Sequence, residues 1–408
     1  MKLSVAYTFD PGIIEQLARF PEVKEIYGKL DKDVVGGGRS TFTLSHTSKN
    51  DVARAVKEAH SYKISFNYLL NGATLNGIEQ TKGGQREIRR LLDFLSEIDV
   101  DSVTVASPYL LRLVKAQYPE FKVRVSVFAI VDSPGKARQW QDLGADAICV
   151  SAVACNRDFK NLENIRKATA CELQLIVNAS CLLNCAYEFT HMNLLTQSSR
   201  KKDPLRGFCL DYCFLYCSAK KLREKMHYLR STWIRPEDLR YYEALGYNSF
   251  KIVERSCPGD LLLKRVAAYA RRSFDGNLME LAGPVAKIKK EQGVSLSHRV
   301  RIMTTMFKPS LIKVNSLLLV RRYAEKIILH DYSPGSSPVY IDNKQLDGFM
   351  EGIIERDCDI QSCEECGYCE KWAQKIVKVD TNYRKEMLEL ADTLDDGLTH
   401  STHWLQSQ

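Results

Sequence analysis

Seven short β-rich segments alternate with amphipathic helical stretches before residue 180, and an eighth follows near residue 250. Few folds accept that rhythm. Strands are expected at residues 2–8, 23–28, 63–70, 102–106, 122–130, 147–150, 173–178 and 249–253. The intervals between them are long enough for right-handed crossovers, which parallel neighbours require. Helix punctuation agrees: Ser48 or Asn50 can cap a helix over 50–60, Ser133 and Pro134 open one that stops at Gly144, and Pro236 opens one that stops at Gly246. Eight parallel strands argue for an α/β fold of the TIM-like (β/α)8 type, a closed barrel, over an open sheet. The barrel is expected over residues 1–277, with a cysteine-rich insertion at about 179–235 after strand seven. Residues 278–391 read as a smaller C-terminal accessory region, with 333–338 as a linker, and residues 392–408 as a loose tail.

Cysteine placement carries the chemistry. The first ten residues read as a strand broken by an acid, unlike a signal peptide, and no run of eighteen apolar residues occurs, so a cytoplasmic protein with no membrane contact is expected. In a reducing compartment thirteen cysteines are metal-ligand candidates before they are disulfides. Cys149, Cys155, Cys171 and Cys257 are scattered. Five others, Cys181, Cys185, Cys209, Cys213 and Cys217, fall within 37 residues, a density that inert core thiols would not produce. The pairs Cys181/Cys185 and Cys213/Cys217 have C-x3-C spacing, which on a helical turn puts both sulfurs on one face. Four thiolates suit a [4Fe-4S] cluster or structural zinc, with Cys209 as an alternative ligand. A radical-SAM pattern starting at Cys181 fails at Glu188, where its third cysteine would stand.

The second group, Cys358, Cys363, Cys366 and Cys369, has the spacing C-x4-C-x2-C-x2-C. Its last three match the start of a ferredoxin run, but Ala373 stands where the fourth cysteine belongs. A second iron–sulfur cluster, zinc or free thiols all remain compatible with it.

Net charge is +8, and the excess is local: residues 200–272 hold 17 Lys or Arg against 8 Asp or Glu. This is a solvated face or a field for an anionic substrate; with few interleaved aromatics, RNA is not the favoured partner. Neither H-E-x-x-H nor G-x-S-x-G occurs, and eight scattered histidines give no facial-triad spacing, so no protease or non-haem iron oxygenase site is readable. Gly36-Gly37-Gly38-Arg39 reads as a plain barrel loop, with anion holding as the alternative.

The run from Ile176 through Asn178, Ser180, Cys181, Cys185, Ala186 and Tyr187, followed by His191, resembles the N-x-G-C-x3-C-P-[FY] segment of the collagenase-like peptidase family U32. Ile234 to Leu239, Gly246 and Phe250-Lys251-Ile252-Val253-Glu254-Arg255 are similar to that family's DL…GV-x-x-[FL]-K-I-E-G-R block, and Asp275-Gly276-Asn277 continues the likeness. The chain departs from the pattern at Ser180 and Ala186, and Val253 and Glu254 stand where the family has its acid and glycine. No cysteine follows Asp238-Leu239, where some members carry a ligand. The resemblance implies a TIM-like barrel with a cysteine-ligated [4Fe-4S] cluster and, in several branches, oxygen-independent hydroxylation. On that basis the chain is expected to be an iron–sulfur hydroxylase or oxidoreductase, its cluster held by Cys181, Cys185, Cys213 and Cys217, acting on a small anionic or aromatic substrate. Asn178, His191, Lys251 and Arg255, at or just beyond strands seven and eight, are the candidate pocket residues, each with a packing or charge-balancing role as the alternative. An electron donor or a homologous partner subunit is an expected partner. A peptidase of the namesake kind and a non-catalytic iron–sulfur subunit are the competing readings.

Overall fold

The computed structural model describes residues 1–40, 44, 46–203, 208–284, 312–328, 337–356, 358 and 360–403. Strands β1 (Lys2–Ala6), β2 (Val23–Gly28), β3 (Ser65–Leu70), β4 (Ser102–Val105), β5 (Lys122–Val125), β6 (Ala147–Cys149), β7 (Glu172–Ile176) and β8 (Ser249–Ile252) pair in parallel and in order, and β8 returns to β1. The expected (β/α)8 barrel is therefore present, with the eight strands where the alternation put them. The fifth is shorter than expected: it stops at Val125, and a 3-10 turn over Val127–Ala129 ends at Ile130 with φ 48°.

The barrel distributes its side chains unusually. Leu3, Val5, Ile26, Phe66, Val103, Val123, Ile148, Leu175, Phe250 and Ile252 are fully buried in the main apolar core, which the flanking helices share. The alternate strand positions point inward and are largely polar: Ser4, Glu25, Asn67, Thr104, Arg124, Gln174, Ser249 and Lys251. Two of their bonds run between strands that are not neighbours, as only groups inside the barrel can. Arg124 on β5 reaches Glu25 on β2 at 2.5 Å, and Ser102 on β4 donates to the same carboxylate at 3.4 Å. Barrels of this class are usually filled with branched apolar side chains.

The C-terminal part packs on the barrel. Strands β9 (Val339–Ile341) and β10 (Val377–Val379) form an antiparallel pair, and Asn277 is bonded to both Val339 and Ile341. Arg235 joins buried Asp238 at 2.8 Å to Asp347 at 3.0 Å. The tail expected from residue 392 is not loose: Thr381–Thr399 is one helix, capped by Asp380 and burying Met387, Leu390 and Leu394, whose apolar spacing carries it onward. Arg384 on that helix donates to the carbonyls of Leu222 and Arg223. Residues 333–336 of the expected linker lie outside the described residues.

Candidate active site and thiol centre

Cys181 and Cys185 lie in the loop after β7, and Cys213 and Cys217 on the helix Tyr212–Arg223. Only the second pair has the helical i, i+4 geometry expected for both. The first pair sits on a turn because Asn184 adopts φ 49°, a left-handed conformation that breaks a helix. Thr232 holds this loop, accepting from the Cys181 amide at 3.1 Å and donating to the Ala179 carbonyl at 2.8 Å. Tyr187 stacks on Tyr216 with ring centroids 4.4 Å apart, pinning the loop to the cysteine helix.

The two pairs face each other across a buried ammonium. Lys221 donates to the carbonyl and hydroxyl of Ser180 and lies in electrostatic reach of Cys217, Cys181 and Cys185; Cys213 in turn senses Cys185. Burial pushes the Cys213 and Cys217 thiols up to about 12. Cys209 is instead directed to Ser198. Among the described residues no carboxylate pairs with Lys221, and the acidic groups in its electrostatic reach are the three sulfurs of Cys217, Cys181 and Cys185. A soft, anionic four-thiolate centre fits that donor set. Among the described residues no three such side chains are gathered in metal-holding geometry.

His191 is bonded through Nε2 to Asp211 at 3.0 Å, and Asp211 caps the cysteine helix by accepting from the Phe214 amide at 2.9 Å. The structure thus places His191 as a fastener of that helix. Asn178 also spends its amide on the backbone, donating to Val253 at 3.1 Å and Leu281 at 3.4 Å and accepting from the Val253 amide at 2.7 Å. That clamp ties the end of β7 to the end of β8.

Lys251 and Arg255 are different. Lys251 points into the barrel with its ammonium 4.0 Å from the centroid of the Tyr27 ring, and burial lowers its pKa to about 8. Arg255 is buried just past β8; desolvation first, and the neighbouring Arg39 second, lower its pKa to about 10. Neither has an ion-pair or hydrogen-bond partner among the described residues. Tyr27 and Tyr68 stand in electrostatic reach of Arg255.

Sequence reasoning missed Arg39 as a site residue. Its guanidinium makes a bidentate pair with Glu254, both bonds 3.0 Å, and it also lies in electrostatic reach of Cys181. It therefore connects the thiol centre to the barrel mouth. The glycines before it serve packing: a Cβ on Gly36 would stand 2.5 Å from the Thr196 carbonyl, on the helix Glu188–Ser198. Glu254 has φ 103°, the left-handed region where the family pattern has glycine.

The sequence model of Peptidase family U32 matches residues 32–296. The chain belongs to peptidase family U32. As a U32 member it is similar over most of its length to an uncharacterized protease of Methanocaldococcus jannaschii, 29% identical over 383 residues, which are 90% of this chain and 98% of the relative. It is also similar to tRNA hydroxylation protein P of Escherichia coli, 21% identical over 185 residues, covering 44% of this chain and 38% of that protein. Among solved structures a U32 peptidase shares 22% identity with a TM-score of 0.47, covering 63% of this chain and 94% of that one. Among the described residues no helix is long and apolar enough to cross a membrane.

Proposed function

We propose that this U32 protein is an iron–sulfur hydroxylase or oxidoreductase whose substrate is a small anionic or aromatic molecule bound in the barrel mouth. The supporting observation is Arg39, which has Cys181 on one side and the pair Glu254 and Arg255 on the other. Cys181, Cys185, Cys213 and Cys217 would hold a [4Fe-4S] cluster, which supplies one-electron transfer when bound. Arg255 and Lys251 bind the substrate's negative charge, since each is a buried cation without an ion-pair or hydrogen-bond partner among the described residues. The Tyr27 ring under the Lys251 ammonium holds that cation in place for the substrate. Glu254 holds Arg39 in place, and its carboxylate stays ionised because Arg39 outweighs the effect of burial. The name of the Escherichia coli relative is in keeping with hydroxylation.

The peptidase reading draws on the name of the archaeal relative. A Ser–His contact does exist, Ser316 Oγ to His403 Nδ1 at 2.8 Å, but both residues are buried and the other ring nitrogen faces the Leu394 carbonyl, where a triad would have a carboxylate or free access. Anaerobically purified protein should be brown and contain iron and sulfide, and Cys185→Ser or Cys213→Ser should remove the central cluster while Cys149→Ser keeps it. Colourless protein after anaerobic reconstitution, or peptide cleavage that survives both serine variants, would overturn this reading.

A further inference from the structure

The second cysteine group is built as a pocket. Cys363–Cys366 forms a helical turn capped by Ser362, whose hydroxyl accepts from the Glu365 amide at 3.2 Å. Gly367 ends the turn with φ 58°, and the helix Tyr368–Ile376 then starts with Cys369 in its first turn. The reversal at Gly367 returns Cys369 toward Cys363, and with Cys358 all four side chains line a single cavity. Cys369 is in electrostatic reach of both Cys358 and Cys363.

Beside the thiols the cavity wall is largely cationic: Arg157 and Arg230 come from the barrel and its insertion, and Arg356 from the C-terminal part, which also supplies the one acid among the described lining residues, Glu370. Arg157, Arg230 and Arg356 line the cavity, and Arg157 and Arg230 both act on Cys369. Arg157 is 5% exposed. Its Nε donates to the Ser231 carbonyl at 3.1 Å, its Nη1 faces the Met350 sulfur at 3.2 Å, and its plane lies 4.4 Å over the Trp233 ring. Its Nη2 is buried with no hydrogen-bond partner among the described residues, with Asp238 and Tyr242 in electrostatic reach of the guanidinium. A buried N–H left without an acceptor is costly, and a guanidinium more so, unless an anion completes it. Free thiols are neutral and poor acceptors. Four thiolates around a divalent metal ion, or around a cluster core of charge 2+, carry a net charge of −2 and would complete this wall.

We infer that Cys358, Cys363, Cys366 and Cys369 hold a second metal centre, a four-thiolate zinc ion or iron–sulfur cluster, with Arg157 and Arg230 as its charge-compensating neighbours. It is separate from the thiol centre of the barrel, and the two share a wall. Leu183, which lines this cavity, lies two residues from both Cys181 and Cys185, so the chain holds its Cα within about 7 Å of theirs.

The test uses the full chain, purified anaerobically, with iron, sulfide and zinc counted per chain. The double variant Cys363→Ser/Cys366→Ser should lose one centre's metal, while the iron and visible absorbance that depend on Cys185 persist. Loss of zinc alone identifies a zinc site, and loss of iron with sulfide a cluster; either supports the inference. Where the variant is poorly folded, the wild-type chain answers instead. Alkylation read by mass spectrometry should label Cys363, Cys366 and Cys369 at least tenfold faster after chelator treatment than before, and Arg157→Gln should shorten the half-time of metal loss to the chelator about tenfold. Unchanged metal content in the double variant, or equal alkylation before and after chelation, would overturn it. Because the Cys185→Ser variant addresses the barrel centre alone, failure here is distinguishable from failure of the proposed function.

Discussion

The inside of the barrel has two levels that treat charge in opposite ways. At the lower level Glu25 accepts from Ser4 and Arg124 at 2.5 Å each, Asn67 bridges Ser102 and Thr104 at 2.7 Å, and Gln174 donates to Ser249 at 3.1 Å. Burial works against the Glu25 carboxylate, yet Arg124 and Ser4 overcome it and keep its pKa below the ordinary value. At the mouth, Lys251 and Arg255 are buried with no ion-pair or hydrogen-bond partner among the described residues, Glu25 and Glu254 being only in electrostatic reach, and burial lowers the pKa of both. A charge matched within the fold serves the fold; a buried charge left unmatched is available to a ligand.

Removing a matched partner should do the greater damage to stability. Glu25→Ala leaves Arg124 buried without its main counter-charge and is expected to cost about 3–5 kcal/mol in chemical denaturation. A loss below about 1 kcal/mol would mean that the Glu25–Arg124 pair does not hold the lower level together. At the mouth the effect should move from stability to binding. Arg255→Gln should leave the denaturation midpoint unchanged or raise it, while affinity for a small aromatic carboxylate such as benzoate falls about 10–100-fold, the worth of roughly 1.5–3 kcal/mol for a hydrogen bond to a charged group. Equal binding by the variant and the parent would remove Arg255 from the pocket.

A finer division concerns pH. Lys251 has a folded pKa near 8 against an ordinary value of 10.5, so between these limits the unfolded chain holds more protons at this residue. Its contribution to stability therefore improves as pH rises through that window. Benzoate binding should run the other way, weakening about tenfold between pH 7 and 9, or roughly 1.4 kcal/mol, as the ammonium is lost. Titration calorimetry of Lys251→Arg should show a flat profile over the same range; a parallel decline would assign the titration to another group. The smallest effect is expected at Glu254. Replacing it with glycine relieves a left-handed backbone worth about 1–3 kcal/mol but releases Arg39, so the two changes should nearly cancel in stability. A large loss would show that the Arg39 pair outweighs the strain.

The barrel was legible because its signal is local. Alternation such as Leu3, Val5 against Ser4, Ala6, or Phe250, Ile252 against Ser249, Lys251, announces a strand whichever side is apolar. What the alternation did not announce is that the polar side faces inward, since an exposed strand face has the same pattern. At the site, cysteine spacing found the thiols and the family block pointed to Lys251 and Arg255. Arg39 and Glu254 are 215 residues apart, and nothing in either neighbourhood signals the other. The roles expected of His191 and Asn178 rested on position in the motif, whereas the side-chain bonds show both fastening the backbone around the thiol loop. The spacing of Cys181 and Cys185 could not distinguish a helix from a loop, because Asn184 decides that through its backbone conformation.

The position of Leu183 also has a thermodynamic side. If both cysteine groups hold metal, filling one site orders a loop that forms part of the wall of the other, and the free energy of that ordering is spent only once. The second metal would then bind more tightly than it would to the empty protein, and by reciprocity each centre would strengthen the other by the same factor. Partly loaded chains would be fewer than two independent sites would give, and a chain that has lost one centre would keep the other with a weaker hold.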